Sequence, residues 1–256
     1  LSIGLPLSMA ADATFESIAL TPELSPVRRY VILAVIILSV TLYSTSILIV
    51  AAVLPQLQGA MSATPDEISW TMTFNILATA VMTPLTGWMA ARFGRRNLLG
   101  GSVAIMAVAT YFCGAATTLE SLIFWRIVQG AAGASLPPIG QSVTLNIFPK
   151  HQHGMVIGMY GVGVVMGAFI GPMIGGVMAE LYTWRYAFYM LAPIAVFASI
   201  GVMIALPRTH RTQETKLEWT GFLLLSISIA CVQLALSRGQ RLDWWSGRRH
   251  VLVNAA

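Results

Sequence analysis

One charged side chain sits where charge is costly. In the stretch SLIFWRIVQGAAGAS, Arg126 is embedded among apolar residues, about five residues or roughly 8 Å inside the outer end of an apolar helical segment. An ionisable group at that depth is a functional-site candidate by default; the alternative is that it snorkels to headgroups or water. Gln129 lies one helical turn further along the same face. A buried guanidinium calls for an acid, yet no Asp or Glu falls in the middle of any apolar run. The nearest are Asp66, Glu67, Glu120 and Glu180, all at outer helix ends. Arginine keeps its proton, so Arg126 cannot itself carry one.

Other chemistry is excluded by what is missing. His151 and His153 share one loop, and His210 and His250 lie elsewhere; no HExxH, GxSxG or phosphate-cradling loop is present. The chain is therefore read as neither an enzyme nor an ATP-driven pump, with no metal and no cofactor. Cys113 and Cys231 both fall in apolar runs and are expected to act as small hydrophobes.

The elements that must hold Arg126 follow from composition. The chain is 56% hydrophobic and only 10% charged, with a mean hydropathy of +0.74, against about 25% charged residues in soluble domains. Its main solvent is lipid. The net charge of +5 then reads as loop charge facing the cytoplasm, not as a nucleic-acid surface. Seven stretches satisfy the length of about 20 apolar residues needed to span: 30–54, 67–90, 97–117, 121–147, 154–178, 185–206 and 219–236. Residues 247–256 begin an eighth and are too short to cross, so the chain is expected to continue.

The expected fold class is an all-α polytopic membrane protein. Residues 1–29 form a mobile cytoplasmic tail and 30–207 a six-helix bundle. Residues 208–256 hold a cytoplasmic loop, a seventh helix and the start of an eighth. Arg28, Arg29, Arg92, Arg95, Arg96, Lys150, Arg208, Arg211 and Lys216 gather at one set of ends, and the acids with Arg185 at the other. Positive charge marks the cytoplasm, so the N-terminus lies inside. Arg238, Arg241, Arg248 and Arg249 depart from this pattern.

Small residues and polar handles complete the candidates. Gly163, Gly167, Gly171 and Gly175 recur every four residues, so they share one helix face suited to close packing. Gly176 extends the run, and Pro172 is expected to bend the helix there as a hinge. Met72, Met82, Met159 and Met166, with Trp70 and Phe74, offer a soft apolar wall for varied substrates. Ser46, Asn75, Gln141 and Tyr160 are the candidate polar lining.

Four stretches resemble a known family. "GWMAARFGRR" is similar to the loop between the second and third helices of the major facilitator superfamily; Gly87, Arg92, Gly94, Arg95 and Arg96 match, and Ala91 replaces the expected aspartate. "RIVQGAAGAS" resembles the fourth-helix motif, with Arg126, Gln129, Gly130 and Gly133 in place. "GAFIGPMIGG" resembles the fifth-helix motif of the exporters. "WRYAFYMLAPI" and "LALSRGQRLDWW" resemble the fourteen-helix drug:proton branch. In that branch the first helix carries an aspartate and an asparagine before a Leu-Pro pair. Counting back from Leu54-Pro55, Ser46 and Ala51 stand at those places.

The resemblance implies an N-terminal six-helix bundle of a multidrug antiporter. It implies a cytoplasmic gating loop at 87–96 and proton coupling through Arg126 and Gln129, driven by the proton gradient. Either an end-of-helix acid takes the proton, or a carboxylate in the C-terminal half does, or coupling is lost; the second is expected. Implied partners are the lipid bilayer, small amphipathic substrates, a C-terminal half and a periplasmic adaptor, in a bacterial inner membrane. Two other readings stand beside it: an uncoupled facilitator, motivated by Ser46 and Ala51, and a non-transporting remnant or interaction subunit.

Overall fold

Proline placement and apolar length set where the helices start and stop. In a computed structural model of the chain, residues 25–207 and 218–239 are described. Most of the expected tail, the loop with Arg208, Arg211 and Lys216, and the start of an eighth segment lie outside the described residues. Helix α1 (Pro26–Met61) opens with Pro26, whose missing N–H is unneeded in a first turn, and the Ser25 hydroxyl accepts from the Arg28 amide at 3.4 Å. Its 36 residues span about 54 Å, beyond the expected stretch at both ends. The helix runs on through Pro55 and stops at Ser62, which turns left-handed at φ 49°.

The second span is α2 (Pro65–Met82), a 3₁₀ turn over Thr83–Leu85, and α3 (Thr86–Phe93). A reciprocal cap fixes its start: the Glu67 amide donates to the Thr64 hydroxyl at 3.3 Å, and the Thr64 amide to the Glu67 carboxylate at 2.8 Å. Between α3 and α4 (Arg95–Ala115) stands a single residue, Gly94, at φ 82°. The expected basic loop is thus one sharp corner, and only glycine takes that backbone without strain.

The fourth path departs from expectation. Instead of one helix over 121–147, it is α5 (Leu119–Gly133) and α6 (Leu136–Ile147), with a turn at Ala134 and Ser135. Pro137 and Pro138 cannot donate to the carbonyls of Gly133 and Ala134, so the ladder is interrupted there. Then follow α7 (His153–Leu181), α8 (Trp184–Ala205) and α9 (Trp219–Gly239). Among the described residues, six helical segments are long and apolar enough to cross a bilayer, the broken fourth path aside.

Side chain–carbonyl bonds report how the helices pair. Thr41 donates to Gly163 O at 2.8 Å and Thr45 to Gly167 O at 3.2 Å. Both partners advance by four residues, so α1 and α7 run parallel in register. Asn75 Nδ2 donates to Arg126 O at 2.7 Å and Thr79 to Gly130 O at 3.0 Å, which sets α2 parallel to α5. By contrast, Arg96 donates to Met203 O, Ser199 to Gly100 O and Arg185 to Gly114 O. Here one number rises as the other falls, so α4 and α8 are antiparallel. Helix α1 packs against α7, α8, α6 and α2 and is the bundle's central element.

Glycine is required where these axes meet. A Cβ on Gly171 would lie 2.9 Å from Thr45 O, and one on Gly175 would lie 2.9 Å from the Ile49 side chain. Gly163 and Gly167 likewise face Ile37, Thr41 and Ser44. One expectation needs correction, that of Gly176, and Pro172 also stands off the packing face. A Cβ on Gly176 meets nothing within 4 Å, so it does not belong to the packing face. Pro172 is exposed, off that face, and α7 continues unbroken through it.

Candidate functional site

Arg126 is wholly buried, with 0% of its surface exposed. It does not snorkel. Its helix carries it past the outer cap at Thr118, whose hydroxyl accepts from the Ser121 amide at 3.2 Å, and turns it toward α1. There Nη1 donates to Ser46 O at 2.8 Å and to Gln129 Oε1 at 2.5 Å, and Nη2 reaches Ile47 O at 3.5 Å. Position 46, where the family resemblance expects an aspartate, therefore meets the guanidinium through its carbonyl. The Ser46 hydroxyl turns away and donates to Tyr43 O at 2.8 Å.

The surrounding shell is polar and uncharged. Gln129 Nε2 donates to Thr110 Oγ1 at 2.6 Å, and Thr110 donates to Met106 O at 2.6 Å. Asn75 is held on the Arg126 carbonyl, while Tyr43 donates to Thr79 at 3.3 Å. Arg126 Nε and Asn75 Oδ1 are buried without a partner among the described residues. Among the described residues, no carboxylate is bonded to Arg126. Carbonyl dipoles and one amide thus hold a full charge inside a low-dielectric bundle, where a hydrogen bond to a charged group is typically worth about 1.5–3 kcal/mol.

Sequence reasoning placed Arg126, Gln129, Ser46 and Asn75, and the fold brings these four together. It missed Thr110, a polar residue inside the third apolar stretch, which was the available signal. Gln141 and Tyr160 do not join the group. Gln141 is exposed on α6, and Tyr160, buried on α7, donates to Pro137 O at 2.8 Å. Met159 and Met166 are exposed. Met159 lines an apolar groove of about 480 Å³ with Tyr30, Ala34, Ile37, Leu38 and Thr41. Met72 and Met82 are partly buried, and Trp70 packs on Phe74 with ring centres 5.4 Å apart.

The basic corner splits by role. Arg92 lies over the Trp88 ring at 5.7 Å, whereas Arg96 caps the end of α8 at Met203 O. A Cβ on Gly87 would meet nothing within 4 Å, so packing among the described residues does not require that glycine. Cys113 is buried as expected, but Cys231 is exposed on α9. No three His, Cys, Asp or Glu side chains converge among the described residues, and His153 is engaged with Phe148 O at 2.8 Å.

Known proteins share both sequence and fold. The Multidrug export protein EmrB of Escherichia coli is 31% identical over 201 residues, covering 78% of this chain and 39% of that protein. The Fatty acid resistance protein FarB of Neisseria gonorrhoeae is 30% identical over 193 residues, covering 75% of this chain and 38% of that protein. The chain thus spans about two fifths of the length of these relatives. A bacterial homolog of the human lysosomal transporter Spinster, solved inward-facing and unoccupied, superposes with a TM-score of 0.63 at 18% identity. That match covers 77% of this chain and 47% of the other, and shows the fold alone. The description Major Facilitator Superfamily matches residues 34–254, and with that match the chain belongs to the major facilitator superfamily.

Proposed function

We propose that this chain forms the N-terminal bundle of a proton-driven exporter of amphipathic compounds in the fourteen-helix drug:proton branch. It works by alternating access between two bundles around a midplane site. Its N-terminus is cytoplasmic and its home a bacterial inner membrane, a reading that its bacterial multidrug-export relatives support. The observation that carries the reading is Arg126, fully buried where the fourth span meets the first, its guanidinium bonded to the first span at Ser46 and to Gln129 on its own helix. A charge so costly to bury is retained where transport uses it. Its positive charge favours the ionised form of a carboxylate that comes close to it. Such a carboxylate, in the part of the transporter that pairs with this bundle, is the proton carrier. The relatives named for multidrug export and fatty acid resistance support amphipathic substrates.

A second reading, an uncoupled facilitator, is favoured by one observation: the Arg126 donors end on carbonyls and an amide, not on an acid. Everted vesicles containing the native protein separate the two. Ethidium is supplied outside, and the proton gradient is collapsed with nigericin. The expected result is that uptake against the ethidium gradient stops. Downhill movement continuing at the same rate after collapse supports the facilitator instead.

A further inference from the structure

The hydrogen-bond polarity around Arg126 can be assigned without ambiguity. A guanidinium only donates, so the oxygen of the Gln129 amide must face it, as the 2.5 Å contact with Nη1 shows. The amide nitrogen then points the other way, to Thr110 Oγ1 at 2.6 Å. Thr110 must accept, which leaves its own proton for Met106 O at 2.6 Å, one turn back on α4. Exposure is 0% for Arg126, 1% for Gln129 and 2% for Thr110, so bulk water cannot replace any member. The direction of the whole chain is anchored at a helix carbonyl that cannot rotate.

We propose that Thr110 is a positioning residue for transport: it fixes the orientation of the Gln129 amide, and through it the Arg126 guanidinium. The inference rests on the role given to Arg126 above. Without the Thr110 oxygen, Gln129 Nε2 loses its one acceptor among the described residues, and a buried unsatisfied N–H draws the amide away from its place on the guanidinium toward another acceptor. Thr110 also ties the site to a braced pair of helices. Its helix α4 is bonded to α8 through Arg96, Ser199 and Arg185, so the reference point for Arg126 is one of the bundle's fixed walls.

The test uses the native full-length protein in cells lacking their own exporters, with ethidium and acriflavine efflux as probes and rates normalised to protein in the membrane. Thr110→Val keeps the shape and removes the acceptor. The expected result is a fall of about tenfold in the maximal rate, the scale of one buried hydrogen bond to a charged network, with the half-saturating concentration unchanged. Thr110→Ser restores the acceptor and is expected to recover the rate to within about threefold. The double variant Thr110→Val with Gln129→Leu is expected to be no slower than Gln129→Leu alone, because the residues act as one unit. If Thr110→Val fails to reach the membrane, Thr110→Ala gives the same comparison. Native rates in Thr110→Val, no recovery in Thr110→Ser, or additive losses in the double variant overturn the proposal. Arg126→Ala in the same assay distinguishes the failures. Native efflux there overturns the role of Arg126 as well, whereas its loss beside a native Thr110→Val rate overturns Thr110 alone.

Discussion

Arg126 donates in two directions, to the main chain of the first span at Ser46 and Ile47 and to Gln129 on its own helix. That demands a planar fork as well as a positive charge. Lysine offers one compact ammonium on a flexible stem, without the rigid plane that sets Nη1 on Ser46 O and Gln129 Oε1 while Nη2 reaches Ile47 O. Arg126→Lys is therefore expected to insert normally yet lose export by about tenfold or more, measured as efflux per unit of membrane protein. Near-native export would mean that charge alone matters and the fork does not. Legibility at this scale depended on contrast. A charge or an amide inside an apolar run stands out, so Arg126, Gln129 and Asn75 are found without a structure. Thr110 does not stand out, because hydroxyls are ordinary in membrane helices and its partner is 19 residues away on another helix. Gln141 and Tyr160 stand apart from the Arg126 group for the complementary reason. Periodicity gives a residue's face relative to its own helix, not which neighbour that face meets.

At the scale of elements, the glycines of α7 divide cleanly into those that pack and those that do not. At Gly171 an added Cβ meets backbone of α1, 2.9 Å from Thr45 O and 3.3 Å from Ile49 N, and backbone cannot swing aside. Gly171→Ala is expected to destabilise by about 1–3 kcal/mol as an overpacking change. Gly176→Ala, with nothing within 4 Å, is expected to be neutral or to gain up to about 1 kcal/mol of helix propensity. Thermal unfolding in detergent checks both. In a Cys231→Ser background, a thiol-reactive dye reads the exposure of Cys113, which is otherwise buried. Equal stability of the two variants would mean that the α1–α7 contact is loose. The four-residue glycine spacing makes this face legible from sequence, while the end of a helix is less so. Pro55 leaves α1 intact, yet the pair Pro137 and Pro138 coincides with a break two residues earlier. One lost donor is absorbed by a helix packed along its length, whereas two consecutive losses beside a turn are not.

Across the whole molecule, charge and packing agree on which ends lie together. Arg28 reaches Ala205 O at 3.4 Å, Arg96 caps Met203 O, and Tyr30 meets the Phe148 ring at 5.5 Å. The starts of the first and third spans, the end of the sixth and the connection near Lys150 are therefore at one face of the bundle. At the opposite face Arg185 donates to Gly114 O at 2.8 Å and Ala116 O at 2.6 Å, beside the acidic helix starts at Glu67 and Glu120. The third and sixth spans thus cap each other's carbonyl ends with arginines, a favourable placement of cations at helix C-termini. The sequence rule for loop charge predicts the orientation: the face with Arg28, Arg95, Arg96 and Lys150 is expected to be the cytoplasmic one. Lys150 and Glu180 are both exposed and lie at opposite ends of the fifth span, which makes them reporters. In a Cys231→Ser background, a membrane-impermeant maleimide is expected to label Glu180→Cys in intact spheroplasts. Lys150→Cys should react only after the membrane is opened. Labelling of Lys150→Cys from outside with protection of Glu180→Cys would invert the bundle, and Arg126 would then lie toward the cytoplasmic end of its span instead of the outer one.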